Sequence, residues 1–247
     1  MKRILWVLFA CLPLLAAPPR VWASTDTALA AATAAGHPVF LIVTDGGAVG
    51  LDAARRVVSD AQKLVQSASI LEMNRADAVN EAVVGRYRLA TVPVPLILVI
   101  APNGVAAGGA RPDSVTAERL AGMVPSPAKA AFLKSLDEGK ATFLVFARSS
   151  MADLPATTKA AEDAAASLKG AAVLVQVDLD SAKEAPFVAE MKQDVKATTP
   201  VTIVYNAKGR ATETLRGVPT AAALAAAATK VPTSTCKPGE CGPGGCK

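Results

Sequence analysis

Histidine occurs once, at His37; tryptophan is absent after Trp22; and no cysteine lies between Cys11 and Cys236. Without a thiolate, nothing across residues 12–235 can carry a two-electron thiol–disulfide cycle. The chain has no glycine loop followed by Lys-Ser/Thr that would cradle phosphate, and no His-Glu-x-x-His. Acidic residues are missing from the first 23 positions, where Lys2, Arg3 and Arg20 supply three of the formal net charge of +5. The remainder carries 5 − 3 = +2, which excludes a generic basic surface for nucleic acid. Aromatics are only 4% of the chain.

What is present falls into three parts. Met1-Lys2-Arg3 is a short positive start, Ile4–Ala17 an apolar run, and Val21-Trp22-Ala23 before Ser24 a small-residue cleavage site. This pattern predicts a signal peptide over residues 1–23, cleaved after Ala23, and a periplasmic or secreted chain that meets a membrane only during export. Fourteen apolar residues fall short of the roughly 20 that span a bilayer. An uncleaved anchor and a lipoprotein site at Cys11 are the alternatives. In an oxidising compartment, cysteines tend to pair or to hold metal.

Residues 24–126 and 127–232 read as two similar halves. In the first, a helix over Asp26–Ala35 is broken at Gly36-His37-Pro38, and Val39–Thr44 is a buried strand. A helix over about Leu51–Gln66, a strand over Ser69–Met73 and a helix over 77–87 follow. Val92-Pro93-Val94-Pro95 then launches the strand Leu96–Ile100, Pro102-Asn103-Gly104 turns the chain into Val105–Ala107, and Thr116–Met123 closes as a helix. In the second half the helix Ala128–Glu138 precedes the strand Ala141–Phe146, the helix Ala156–Leu168, the strand Val173–Asp178 and the helix Phe187–Val195. Thr199-Pro200 launches Val201–Tyr205, Asn206-Ala207-Lys208-Gly209 turns, and Thr220–Thr229 is the last helix. Pro95 to Gly104 and Pro200 to Gly209 are each nine positions, offset by 105. That periodicity predicts an internal duplication of one α/β unit.

This element order, with a proline opening the third long strand and a glycine ending the turn after it, resembles the thioredoxin superfamily in both halves. The resemblance implies two tandem thioredoxin-like domains, each a central mixed sheet flanked by helices. It also implies a cis-proline facing the redox motif, which carries over to Pro95 and Pro200, with Pro93 competing for the first position because it lies six residues after Tyr87. The redox Cys-x-x-Cys of that family would fall in Asp45–Leu51 and Arg148–Leu154, and neither stretch has a cysteine. The domain bodies are therefore expected to be non-catalytic: scaffolds, platforms or binding modules. Catalytic use of His37, or of Asp178 and Asp180 as an acid–base pair, is weighed against a polar turn residue and a solvated strand exit.

After Pro232 the chain reads Thr-Ser-Thr-Cys236-Lys-Pro-Gly-Glu-Cys241-Gly-Pro-Gly-Gly-Cys246-Lys247. Nine of the fifteen residues from Thr233 are Gly, Pro or Cys, so a disordered tail without helix, strand or core is expected, and packing does not explain its thiols. Converging Cys236, Cys241 and Cys246 would suit Cu(I), As(III) or Zn²⁺. Cys241 and Cys246 could alternatively form a reactive dithiol for thiol–disulfide exchange, since Cys241-Gly-Pro-Gly-Gly-Cys246 resembles the thioredoxin redox string with two glycines inserted. A structural disulfide with one cysteine left for a partner is the third reading. The expectation is an exported tandem scaffold presenting this tail to a soft metal, a protein partner or a thiol-bearing client. A thiol–disulfide oxidoreductase and a protein-binding module with a structural tail are the alternatives.

Overall fold

A computed structural model describes residues 24–47 and 49–231. The expected signal peptide and the cysteine tail lie outside them. No helix among the described residues is long and apolar enough to cross a membrane.

Two four-stranded sheets are formed, one per half. In the first domain α1 (Thr25–Ala34) leads to β1 (Val39–Thr44), α2 (Leu51–Leu64), β2 (Ser69–Asn74), α3 (Glu81–Arg86), β3 (Leu96–Ile100), β4 (Ala106–Ala110) and α4 (Ala117–Ala121). The second has α5 (Pro127–Asp137), β5 (Ala141–Ala147), α6 (Leu154–Ser167), β6 (Ala172–Asp178), α7 (Ala185–Glu190), β7 (Val201–Tyr205), β8 (Ala211–Arg216) and α8 (Ala221–Thr229). The strand orders are β2-β1-β3-β4 and β6-β5-β7-β8. In each sheet the first two strands in sequence are parallel and the later pairings antiparallel. The identical order, sense and helix placement make each half a thioredoxin-like α/β domain, and the chain is a tandem of two.

The central strands explain the architecture. Every residue of β1 is buried, as is every residue of β5, because helices cover both sheet faces. Alternation then divides the core. Val39, Leu41 and Val43 pack in one cluster with Leu29 of α1 and Val83 of α3. Phe40 and Ile42 pack in another with Ala54, Val58 and Ala61 of α2 and Leu120 of α4. In the second domain Phe143 meets Ala161 and Ala164 of α6 and Leu224 of α8, while Leu144 and Phe146 meet Phe132 of α5 and Phe187 of α7. Alanine at the α6 and α8 contacts leaves room for the Phe143 ring, which makes the alanine-rich last helix a packed face.

Several expected elements end elsewhere. The helix expected over 77–87 is a 3₁₀ turn at Ala78–Asn80 followed by α3. The helix expected to reach Val195 stops at Glu190, where Lys192 takes a left-handed φ of 52° and the Gln193 amide donates to the Val188 carbonyl, closing the helix end. Strand β4 continues across Gly108-Gly109, where Gly109 packs between Leu96 and Leu98. Strand β8 is polar and largely exposed, so it carries little apolar signal, and its ladder to β7 defines it.

The domains meet through α5. Asn103, in the turn between β3 and β4, donates through Nδ2 to the Ala130 carbonyl at 2.7 Å, and Ala101 and Val105 pack with Ala130 and Leu133. Tyr87 ties its hydroxyl to the Gly104 carbonyl at 2.9 Å, and burial pushes its phenol above its ordinary value. The α5 N-terminus is fully satisfied: Pro127 lacks an amide hydrogen, Lys129 donates to the Ser126 hydroxyl, and Ala128 donates to Oε1 of Glu184 at 3.0 Å. Glu184 is buried from α7's side. Glu184→Ala, which orphans the Ala128 amide, is expected to destabilise the chain by about 1–3 kcal/mol in urea unfolding, with Glu184→Gln losing less.

Candidate functional site

The carboxyl end of β1, the start of α2 and the start of β3 converge in the first domain. Residues 45–50 join β1 to α2, and residues 148–153 join β5 to α6; both loops have six residues, so they align position by position. Val49 stands beside a cavity of about 390 Å³ lined by Gly50, Ala53, Val94, Pro95, Arg111, Pro112 and Asp113. The Val94–Pro95 bond is cis, alone among the described residues. Pro93 and Pro200 are thus in trans bonds, the ordinary state of an X–Pro bond; the Pro200 expectation is corrected, and the competition between Pro93 and Pro95 is decided for Pro95. Gly50 has φ 91°, and a Cβ built there would approach Pro95 Cγ to 3.8 Å. Space would admit a side chain, whereas the left-handed backbone disfavours one. Val49 is 94% exposed, an unusual position for a branched apolar residue at the mouth of an apolar groove.

The second domain handles the same place differently. Met151, which aligns with position 48, is turned inward and only 6% exposed. It joins the core cluster with Ala147, Leu179, Val188 and Val201. The residue aligned with Val49 is the small Ala152.

An ion pair in each domain pins the segment leading into the third strand, and its polarity is reversed between the domains. In the first, Asp45 follows β1 and Arg75 follows β2, 4.0 Å apart. Arg75 donates to the Leu89 and Val92 carbonyls at 3.1 and 2.6 Å, holding the chain just ahead of Pro95. In the second, Arg148 follows β5 and pairs through Nε with Asp180, beyond β6, at 2.8 Å. Arg148 also donates to the Ala197 carbonyl at 2.6 Å, holding the chain ahead of Pro200. Residue-by-residue reading missed both arginines. The available signal was an opposite charge at the first position of two aligned loops.

These contacts also answer the catalytic readings. Asp180 is bound to Arg148, and Asp178 accepts from the Asp180 amide at 3.0 Å, so the two carboxylates form a strand exit with separate partners. His37 is exposed, with its backbone amide bonded to Ala32. Among the described residues no group of three His, Cys, Asp or Glu is placed to hold a metal. Cys236, Cys241 and Cys246, expected as metal or thiol ligands, lie outside the described residues.

No family model matches the chain, and no curated protein does. Among solved structures it is similar to the human ERp44 zinc-bound form, with 10% identity and a TM-score of 0.34 over 81% of this chain and 55% of that one. The chain therefore spans about half the length of that ERp44 chain. The first two thioredoxin domains of Naumovozyma dairenensis Eps1p match with 10% identity and a TM-score of 0.32, over 85% of this chain and 97% of that one. Those of Saccharomyces cerevisiae Eps1p match with 10% identity and a TM-score of 0.30, over 84% and 96%. The thioredoxin-like assignment rests on the strand order and registers of this chain.

The contrast between the two loops has a measurable consequence. Met151→Ala is expected to cost about 2–5 kcal/mol in denaturant unfolding through lost burial and a residual cavity. Val49→Ala should stay within about 0.5 kcal/mol, as for a surface residue.

Proposed function

We propose that the protein is an exported, non-catalytic tandem thioredoxin-like scaffold that presents a three-cysteine tail for soft-metal or thiol handling. The observation that carries this reading is the state of the two loops. Each occupies the place of a redox motif and neither has a thiol, yet the first domain keeps an open apolar groove beside Pro95 while the second buries Met151 into its core. A scaffold with one open groove has the surface to hold an extended chain, and its reactive chemistry must come from elsewhere. The three cysteines of the tail are the thiols outside residues 1–23. Thiolates at Cys236, Cys241 and Cys246 form a soft donor set suited to Cu(I) or to Zn²⁺ with a fourth ligand.

Elemental analysis combined with a thiol count on the reduced chain, purified without oxygen, tests the proposal. About one equivalent of Cu(I) or Zn²⁺ per chain is expected, and the metal should be lost when all three tail cysteines are replaced by serine. Equal metal retention by the serine variant would remove the tail from the function. Metal-free protein that reduces a model disulfide through Cys241 and Cys246 would favour the oxidoreductase reading.

A further inference from the structure

We infer that the cleft at the domain joint is a binding site for a small dianion, a phosphate monoester or a dicarboxylate, gripped by Arg86 and Arg88 of domain 1 and Lys134 of domain 2. The site is built by the joint itself, at the opposite end of β3 from Pro95.

The space comes from the way α5 sits on the first domain. The Asn103 side chain and the Ala101–Val105 turn seat α5, and beside that seat a cavity of about 540 Å³ stays open between the end of α3, the β3–β4 turn and the last turns of α5. Small-molecule sites measure roughly 300–1,000 Å³, favour domain interfaces and combine apolar walls with a few convergent polar groups. Here Tyr87 and Leu136 give apolar wall, one from each domain, and Arg86, Arg88 and Lys134 give the polar groups.

The charges select the ligand. Three cations face one acid, Asp137, so the lining carries a net 3 − 1 = +2, which a ligand with two negative charges balances. Arg88 is exposed and has no carboxylate partner among the described residues, leaving its planar fork of donors for a phosphate or carboxylate. Arg86 pairs with Asp26 at 2.8 Å and Lys134 with Glu138 at 3.0 Å, and all four side chains are at least 36% exposed. Ion pairs that open to water contribute little, so both cations are available to a better-placed dianion.

The second domain shows that this set is particular to the joint. Its counterpart of Arg88 is Lys192, and both residues close their helix in the left-handed region. The counterpart of Arg86, however, is Glu190, which pairs back to Lys129 of α5. The third cation, Lys134, enters the cleft because the helix of one domain is seated on the turn of the other.

Titration calorimetry on the full chain tests the site, with Cys236, Cys241 and Cys246 replaced by serine so that no tail thiol brings in a metal ion. Glycerol 2-phosphate and succinate are the probes, and acetate is the control with one charge. At least one dianion is expected to bind one to one and at least tenfold more tightly than acetate, and the dianion that binds identifies the ligand's acidic group. Arg88→Gly, which suits the left-handed backbone, and Lys134→Gln remove one cation from each domain, and each is expected to weaken binding at least fivefold. Lys159→Gln removes a cation from a similar i,i+4 pair, with Asp163 on α6, and should leave binding unchanged. Binding no tighter than that of acetate, or equal weakening by Lys159→Gln, would overturn the site. Weakening by only one of the two cleft variants would overturn a site shared between the domains. With the tail thiols removed, the result is independent of the scaffold proposal.

Discussion

Burial of β1 and β5 on both faces is the constraint from which the rest of each domain follows. A strand with no solvated side must have its backbone paired on both edges and its side chains covered above and below. Those requirements place β2 and β3 beside β1 and set α1 and α3 against one face, α2 and α4 against the other. The same holds around β5. Because both faces are filled, the space left for function is at the strand ends, where loops leave the sheet.

At those ends the two domains have diverged while keeping one fold. Each pins the segment before its third strand with an arginine clamped to backbone carbonyls and paired with a carboxylate, but the partners sit on opposite strands in the two domains. A charge-reversed pair does the same positional work because the attraction is symmetric in sign. The loops between central strand and helix have diverged in the opposite direction. One presents an exposed valine beside a cis-proline, and the other draws a methionine into the core. The fold is therefore repeated within the chain and the surface at the strand ends is not. The junction is compatible with this division: α5 is at once a core helix of the second domain and the seat for the β3–β4 turn of the first.

Much of this was legible in the chain. The apolar runs Val39–Thr44 and Ala141–Phe146, the helical spacing of Ala54, Val58 and Ala61, and the repeated proline-to-glycine interval each report a local physical preference, and the tandem α/β architecture follows from them. The polar β8 carries no apolar pattern of its own, because its stability comes from pairing with β7, a contact its own side chains do not announce. The early end of α7 is decided by a left-handed lysine whose sequence carries no special mark.

By itself, the sequence determined the fold class and the absence of cysteine from residues 45–50 and 148–153, since hydrophobic periodicity and the presence of a thiol are properties of single segments. Tertiary structure decided which proline is cis, that Asp180 answers Arg148, that Glu184 completes the α5 N-terminus, and that only the first domain combines the cis-proline with a valine-edged groove. Each of these depends on groups far apart in the chain being brought within bonding distance, and no local pattern encodes that distance.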